Sequence, residues 1–418
     1  MNLDNLINNN GVYLYKDDSF QTIYIQLHFL AERGNKEDAI CDILCKYLIA
    51  SNKIYNSDSA IKKKKRELYS IDIGFETSFI GSKKLFSFYA DMVSPNSVED
   101  NYSKDAFLFM KDIIFNPNFT NDNENNEVLK TIKRTYLSSL AHSFSDPEIV
   151  SSKLYNGSVY DYPDNKYRFS TDINYLSDII NSITLNDLEN MYNKIISEDN
   201  FYRGLVFGNL TEEEFNSFRE CISYKSKHDV LDYSYELKLN EGDIEVPKES
   251  LNESIVYVTY TFDVQDRSLH YLLSEIFNDS SGLCSQILRD KYGLVYWSYI
   301  QMNYYGKTMY FFAMIDKNNK QKLLDAIDEI INIVQDKQKL TSFLEYSKKS
   351  VKNNYYILSE DRDTIISKLD NYICGKYDKF NENEFEKNID SYSEEDIINC
   401  VKTLKRKNVF MYRGDYCE

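Results

Sequence analysis

The same order of predicted strands and helices occurs twice along this chain of 418 residues, and that repeat limits its fold more than any other feature. In the first half, apolar–polar alternation predicts a strand at 22–30, helical spacing follows at 36–50, and the series ends with a strand at 202–207. The second half starts with a predicted strand at 254–262 and closes with another at 408–412. Two copies of this order predict an α+β fold with two structurally similar domains, each a mostly antiparallel sheet with helices packed on one face.

The predicted domain boundaries follow a change in composition near the middle of the chain. Residues 226–250 have weak periodicity and many charges, which is typical of a linker that carries at most one extended strand. We therefore expect an N-terminal domain at 1–225 and a C-terminal domain at 251–418, each large enough to bury its own core. Three predicted helices are preceded by hydroxyl side chains that can cap them: Thr184, Thr211 and Ser393.

The charge balance excludes some classes of partner. The 66 acidic and 49 basic side chains give a net charge of −17, which argues against a nucleic-acid groove and against binding to an anionic membrane surface. No segment has the roughly 20 consecutive apolar residues that span a bilayer, and residues 1–10 lack the features of a signal peptide. The seven cysteines are odd in number and form no Cys-x-x-Cys pair, so we expect a reduced, cytoplasmic protein.

One segment carries a specific resemblance to a known family. Residues 280–299 contain a small-residue turn, a short helical stretch, and then Arg289 and Tyr296, seven positions apart, at the start of an aromatic strand. This arrangement resembles the C-terminal domain of the pitrilysin/insulinase zinc metallopeptidases, which include mitochondrial processing peptidase. The resemblance implies that Arg289 and Tyr296 reach a zinc site from the opposite half of a closed clamshell. There they would bind the substrate backbone and stabilise the negative charge of the tetrahedral intermediate.

The zinc-binding motif of that family is degenerate in this chain. Catalytic members carry His-x-x-Glu-His on the first helix after the second strand, which places two imidazoles on one helical face. The matching positions here are Asp42, Cys45 and Lys46. Glu124 or Glu127 lies where the third ligand of the family falls, but has no histidines to act with. We therefore expect this chain to hold no catalytic zinc and to be inactive alone.

The subgroup that the chain resembles most is the YmfF-like class of inactive subunits in small heterodimeric peptidases. The resemblance implies a subunit that binds a His-x-x-Glu-His homologue, encloses a peptide substrate, and donates Arg289 and Tyr296 to the zinc site of that partner. Trp297 and Tyr299 are expected to line the peptide cleft together with Tyr296. Family analogy suggests leader peptides of peptide natural products as substrates. The alternatives are a peptide-binding or scaffold protein without chemistry, and an independent peptidase with a different metal site.

Structural roles compete with each functional interpretation. Arg289 also suits the negative end of a helix dipole, and Trp297 and Tyr299 are residue types that strands favour. The histidines form no zinc-binding spacing, so structural or surface roles are expected for all of them: His28, His142, His228 and His270. Cys41 and Cys45, one helical turn apart, are expected in the apolar core rather than on a metal ion.

Overall fold

The computed structural model describes residues 3–55, 57–98, 102–160, 166–232, 238–249, 251–264, 266–278, 282–375 and 382–414. The chain divides into two units. Unit 1 consists of Met1–Ser143, Asp164–Tyr233 and Asp361–Asp378, and unit 2 consists of Phe144–Pro163, Ser234–Glu360 and Lys379–Glu418. The predicted division at 1–225 and 251–418 follows sequence order, whereas each unit also contains a segment from the other half of the chain.

The strands, in chain order, are β1 (Leu6–Asn9), β2 (Val12–Lys16), β3 (Thr22–Ala31), β4 (Asp72–Ile80), β5 (Lys83–Val93), β6 (Phe201–Gly208), β7 (Ile244–Lys248), β8 (Ser254–Thr261), β9 (Ser298–Asn303), β10 (Thr308–Ile315) and β11 (Lys405–Gly414). The α-helices are α1 (Asn35–Tyr47), α2 (Asp58–Glu67), α3 (Ser103–Phe115), α4 (Asn123–Ser143), α5 (Pro147–Val159), α6 (Lys166–Phe169), α7 (Ile173–Ser182), α8 (Leu185–Ile195), α9 (Glu212–Cys221), α10 (Arg267–Asn278), α11 (Lys320–Gln335), α12 (Lys337–Glu360), α13 (Arg362–Cys374), α14 (Glu382–Ser391) and α15 (Glu394–Val401).

The two sheets share one topology. Unit 1 has a six-stranded sheet in the order β1-β2-β6-β3-β5-β4, and unit 2 has a five-stranded sheet in the order β7-β11-β8-β10-β9. When β7 to β11 are matched one by one to β2 to β6, the two orders are identical, and β1 is an addition at one edge. Each sheet has one parallel pair, β2 with β6 and β7 with β11, beside antiparallel neighbours. The predicted α+β fold of two similar, mostly antiparallel units is confirmed.

The alternation in β3 produces the burial that it predicts. Ile23, Ile25, Leu27 and Phe29 are fully buried on one face of the sheet. The strand lies in the interior of its sheet, because it pairs with β5 on one side and with β6 on the other. The next helix, α1, buries the apolar stripe that the sequence shows along residues 39–47. Together these elements fix the position of the degenerate motif on α1.

Each sheet also carries one helix from the other half of the sequence. In unit 1, α13 packs against β6, and its Leu369 and Ile373 share an apolar cluster with Leu205 and Phe207. In unit 2, α5 packs against β8 and β11, and its apolar residues share a cluster with Ile255 and other residues on the same sheet face. The two helices occupy equivalent places in the repeat, because each directly follows the long helix of its half.

The predicted helix caps are confirmed. Thr184, Thr211 and Ser393 begin α8, α9 and α15, and each forms a capping box with an acidic residue three positions later. The predicted linker contains β7, which pairs with β11 as the edge strand of the second sheet. Among the helices that the structure describes, none combines the length and the apolar composition that crossing a bilayer requires.

Candidate functional site

The first position of the degenerate motif, Asp42 on α1, is held by two tyrosines. The carboxylate Oδ2 accepts hydrogen bonds from the Tyr136 hydroxyl at 2.7 Å and from the Tyr167 hydroxyl at 3.0 Å. Burial raises the pKa of the Asp42 carboxyl, and Lys84 together with the two hydroxyl donors opposes that rise. Protein donors therefore bind this carboxylate at the position where a catalytic family member would have its first imidazole.

The other two motif positions carry no imidazole. Cys45 is buried, and burial raises the pKa of its thiol above the ordinary value. Lys46 is exposed, and its Nζ lies 5.5 Å from the centroid of the Tyr136 ring, within the range of a cation–π contact. An ammonium group has no lone pair to give a metal ion. The residue types at Asp42, Cys45 and Lys46 thus do not fit a His-x-x-Glu-His zinc site.

A buried ion pair lies beside the motif. Lys84 on β5 donates a hydrogen bond to Asp38 on α1 at 2.6 Å, and the two side chains are only 2% and 7% exposed. Burial acts to lower the pKa of Lys84, but its negatively charged neighbours, Asp38 and Asp42 among them, outweigh this effect and raise it. Removing one partner of such a buried pair typically costs about 3–5 kcal/mol of stability. Lys84 therefore places a fixed positive charge next to Asp42.

On α4, the residue that contacts the motif is Tyr136 rather than an acidic residue. Glu124 and Glu127 are both exposed in the first turns of this helix, and Glu127 pairs with Lys130 at 3.1 Å. The hydrogen bond to Asp42 comes instead from Tyr136, farther along the same helix. The sequence did not predict this role for Tyr136. Tyrosine occurs 36 times in the chain, and nothing in the residues around Tyr136 distinguishes it from the others.

Arg289 lies in a helical turn of unusual geometry in unit 2. The segment Ser285–Lys291, predicted as an ordinary short helix, is π-helical, and the Tyr292 amide donates to the Ile287 carbonyl at 3.1 Å. Such wide turns are rare and occur frequently at functional sites. The Arg289 side chain is 52% exposed, and its Nε donates to the neighbouring Asp290 at 2.9 Å. Ser280 and Ser281 of the predicted small-residue turn lie outside the described residues.

Tyr296 is the most exposed large aromatic side chain among the described residues, at 90%. The hydrogen bond and charge of Asp290 raise the pKa of the Arg289 guanidinium, and Tyr296 acts in the same direction. Both members of the predicted Arg–Tyr pair are thus exposed on unit 2.

Trp297 and Tyr299 belong to an aromatic surface next to this pair. The Trp297 and Tyr299 rings stack 5.4 Å apart, and the Tyr299 ring stacks 4.7 Å from Phe312 on β10. Trp297 is 41% exposed, while Phe312 is buried in the sheet. The stack can therefore present one aromatic face to a ligand while its base packs on β10. Packing alone would also favour these residue types in a strand.

Comparisons with known proteins agree with the coarse family resemblance. Residues 182–343 match the family model described as the peptidase M16 inactive domain. This region contains Arg289 and Tyr296, whereas the degenerate motif on α1 lies before it. No curated protein sequence matches the chain.

Solved structures share the fold over nearly the whole chain. A conserved protein from Enterococcus faecalis V583 is 17% identical, with a TM-score of 0.80 and coverage of 99% of this chain and 100% of that one. A peptidase M16 inactive domain from Pseudomonas fluorescens is 14% identical, with a TM-score of 0.74 and coverage of 96% and 95%. A protease from Helicobacter pylori is 12% identical, with a TM-score of 0.71 and coverage of 98% of each chain. At these identities the likeness demonstrates a shared two-domain fold.

Proposed function

We propose that this chain is a non-catalytic, M16-type peptidase subunit that supplies Arg289 and Tyr296 to the zinc site of a separate partner. The observation that carries the proposal is the contrast between its two candidate sites. The motif positions on α1 are occupied by Asp42, Cys45 and Lys46, which do not fit a His-x-x-Glu-His zinc site, while Arg289 and Tyr296 are both exposed on unit 2. A chain without the zinc ligands of the family but with the Arg–Tyr pair would be suited to act in another subunit's site.

The chemistry of the pair supports this role. Arg289 carries a permanent positive charge, and the Tyr296 hydroxyl is a hydrogen-bond donor. Both can donate hydrogen bonds to a peptide carbonyl oxygen that gains negative charge during hydrolysis. Such donors accelerate a reaction when they bind the charged oxygen more tightly than the neutral one. The metal ion itself would belong to the partner.

The proposed partner is a homologue that carries His-x-x-Glu-His, so that the two chains form a heterodimer of the YmfF-like kind. Trp297 and Tyr299 would pack against the substrate peptide beside Tyr296. Leader peptides of ribosomally made natural products remain a substrate class suggested by family analogy. The cytoplasm is the compartment proposed from the odd number of cysteines and the absence of a Cys-x-x-Cys pair in the sequence.

Reconstitution with the homologue from the same genome tests the proposal. Peptide cleavage is measured with this chain alone, with the homologue alone, and with the two mixed. We expect cleavage only in the mixture, and Arg289→Ala should lower kcat/KM by about 10²–10³-fold, which is typical when one oxyanion donor is removed. The matched control is Lys291→Ala, which removes a cation from the same turn that is already paired with Glu329.

A second substitution separates the hydroxyl from the aromatic ring. Tyr296→Phe removes one donor and should lower kcat more than it raises KM, because the lost interaction belongs to the transition state. Tyr292→Phe is the control, since the Tyr292 hydroxyl donates to Glu329 at 2.7 Å instead of pointing to a ligand. If the homologue is equally active without this chain, the accessory role is wrong.

A peptide-binding or scaffold role without chemistry is the second candidate, and the aromatic surface around Trp297 favours it. In that case Trp297→Ala would weaken peptide binding, while Arg289→Ala and Tyr296→Phe would leave the turnover of every partner unchanged. Peptide binding measured by fluorescence anisotropy on the same variants distinguishes this candidate from the accessory subunit.

A further inference from the structure

Three potential metal ligands meet on the sheet of unit 1, away from the degenerate motif. His28 lies on β3, and Asp370 and Cys374 lie on α13, which packs on that sheet. Their ligand atoms all lie within 4.8 Å of one another. His28 Nε2 is 2.7 Å from Asp370 Oδ1, and Cys374 Sγ is 3.6 Å from the same oxygen.

We propose that His28, Asp370 and Cys374 form a binding site for a divalent transition-metal ion, with zinc as the best match. The donor set of one imidazole, one carboxylate and one thiolate is typical of zinc and uncommon for magnesium or calcium, which prefer oxygen ligands alone. The site differs from the His-x-x-Glu-His position in both its residues and its place in the fold.

The spacing of the three donors suits a tetrahedral ion. Zinc lies about 2.0–2.3 Å from nitrogen, oxygen and sulfur, so its ligands are separated from one another by roughly 3.3–3.7 Å. The distance between Cys374 and Asp370 already falls in that range, and the separation of His28 from Asp370 must grow by less than 1 Å. Asp370 and Cys374 are one helical turn apart, so both project from the same face of α13.

The ring of His28 is oriented for this role by a partner behind it. His28 Nδ1 lies 2.6 Å from Ser87 Oγ on β5, the residue directly opposite it in the sheet. A hydrogen bond donated from Nδ1 to this hydroxyl leaves the Nε2 lone pair directed at Asp370 and Cys374. Metal-binding histidines generally have such a partner on their other nitrogen.

Charge and access also fit a bound dication. The carboxylate of Asp370 and the thiolate of Cys374 would balance the two positive charges of the ion. The occupied site would then be neutral, which lowers the cost of its burial. Arg203, the other cross-strand neighbour of His28, adds a nearby positive charge, but its guanidinium donates to the backbone carbonyls of Tyr202 and His228. The Asp370 side chain is 23% exposed, which leaves room for a water molecule as fourth ligand.

Cobalt(II) binding to the full chain, without any partner, tests the site. A thiolate ligand gives Co²⁺ a charge-transfer band in the near ultraviolet, and tetrahedral geometry gives strong visible bands. We expect both with one equivalent of Co²⁺, and their loss on adding Zn²⁺. Cys374→Ser should abolish the charge-transfer band and weaken binding on the order of 100-fold, and Ser87→Ala should weaken it by about 10-fold while keeping the band.

Matched variants keep the result interpretable. Cys45→Ser removes another buried thiol of unit 1, from the degenerate motif, and should leave the cobalt spectrum unchanged. Asp370→Asn changes a partly exposed side chain and should weaken binding even if Cys374→Ser proves unstable. In addition, Zn²⁺ should raise the Tm of the parent chain but not that of Asp370→Asn. The absence of bands in the folded parent chain, or equal bands in Cys374→Ser, would show that these residues form only a hydrogen-bonded cluster.

Discussion

At the residue scale, Asp42 and His28 illustrate how the neighbours of a side chain decide what it can bind. Asp42 was expected at the position of a metal ligand, and Tyr136 and Tyr167 bind its carboxylate. His28 was expected to have a structural role, but it is the centre of the proposed metal site. Its ligand partner Asp370 is 342 residues away, so no local spacing could reveal the cluster.

His270 on α10 leads to a prediction about pH. Burial lowers its pKa from 6.5 to about 4, and nearby Arg267 acts in the same direction, while a hydrogen bond with the backbone of Met302 opposes them. The folded state holds the imidazole neutral, so only the unfolded chain binds a proton between about pH 6.5 and pH 4, and stability falls as the pH decreases through this window. From this group alone, the free energy of unfolding should be on the order of 2 kcal/mol lower at pH 5 than at pH 7.

Urea denaturation at the two pH values measures this effect. His270→Gln should reduce the loss of stability between pH 7 and pH 5, whatever its effect at pH 7. The control is His142→Gln, which changes an exposed histidine and should preserve the pH dependence of the parent chain. An unchanged pH dependence in His270→Gln would contradict the assignment.

At the element scale, local signals predicted the helix starts reliably. Each capping box needs only a hydroxyl and an acidic side chain three residues later, so its geometry is contained in a few neighbouring residues. The turn at Ser285–Lys291 differs, because its π-helical hydrogen bonds have no distinct signal in the neighbouring residues. Its helical character could be predicted, but its wider turn could not.

The cap of α9 provides a test at this scale. The Thr211 hydroxyl accepts from the Glu214 amide at 3.2 Å, and the Glu214 carboxylate accepts from the Thr211 amide at 2.9 Å. Thr211→Ala should lower the free energy of unfolding by about 1 kcal/mol in chemical denaturation. Thr211→Ser keeps the hydroxyl and should retain most of the parent stability, whereas equal losses in both variants would mean that the methyl group, not the cap, is important.

At the scale of the whole molecule, the exchange of α5 and α13 links the two halves of the sequence. Each helix supplies apolar side chains to a sheet built from the other half. The predicted domains at 1–225 and 251–418 therefore do not each contain a complete apolar core. Each of the two sheets needs a helix from the other half of the sequence.

A fragment experiment tests that dependence. Residues 1–232 contain all six strands of the first sheet but lack α13, so Leu205 and Phe207 would lose the apolar cover of Leu369 and Ile373. We expect this fragment alone to aggregate or to unfold without a cooperative transition, as measured by circular dichroism during thermal denaturation. Co-expression with residues 238–418 should restore soluble protein. A fragment that unfolds as cooperatively as the intact chain would show that α13 is dispensable.

The sequence by itself determined the order of strands and helices, the repeat of two α+β units, the helix caps and the absence of a His-x-x-Glu-His motif. These features depend on residue periodicity and on short spacings, which act between near neighbours in the chain. The tertiary structure decided which distant residues meet: Tyr136 and Tyr167 on Asp42, α13 on the first sheet, and Asp370 and Cys374 beside His28. Those contacts depend on how separate elements pack, and no periodicity along the chain records that packing.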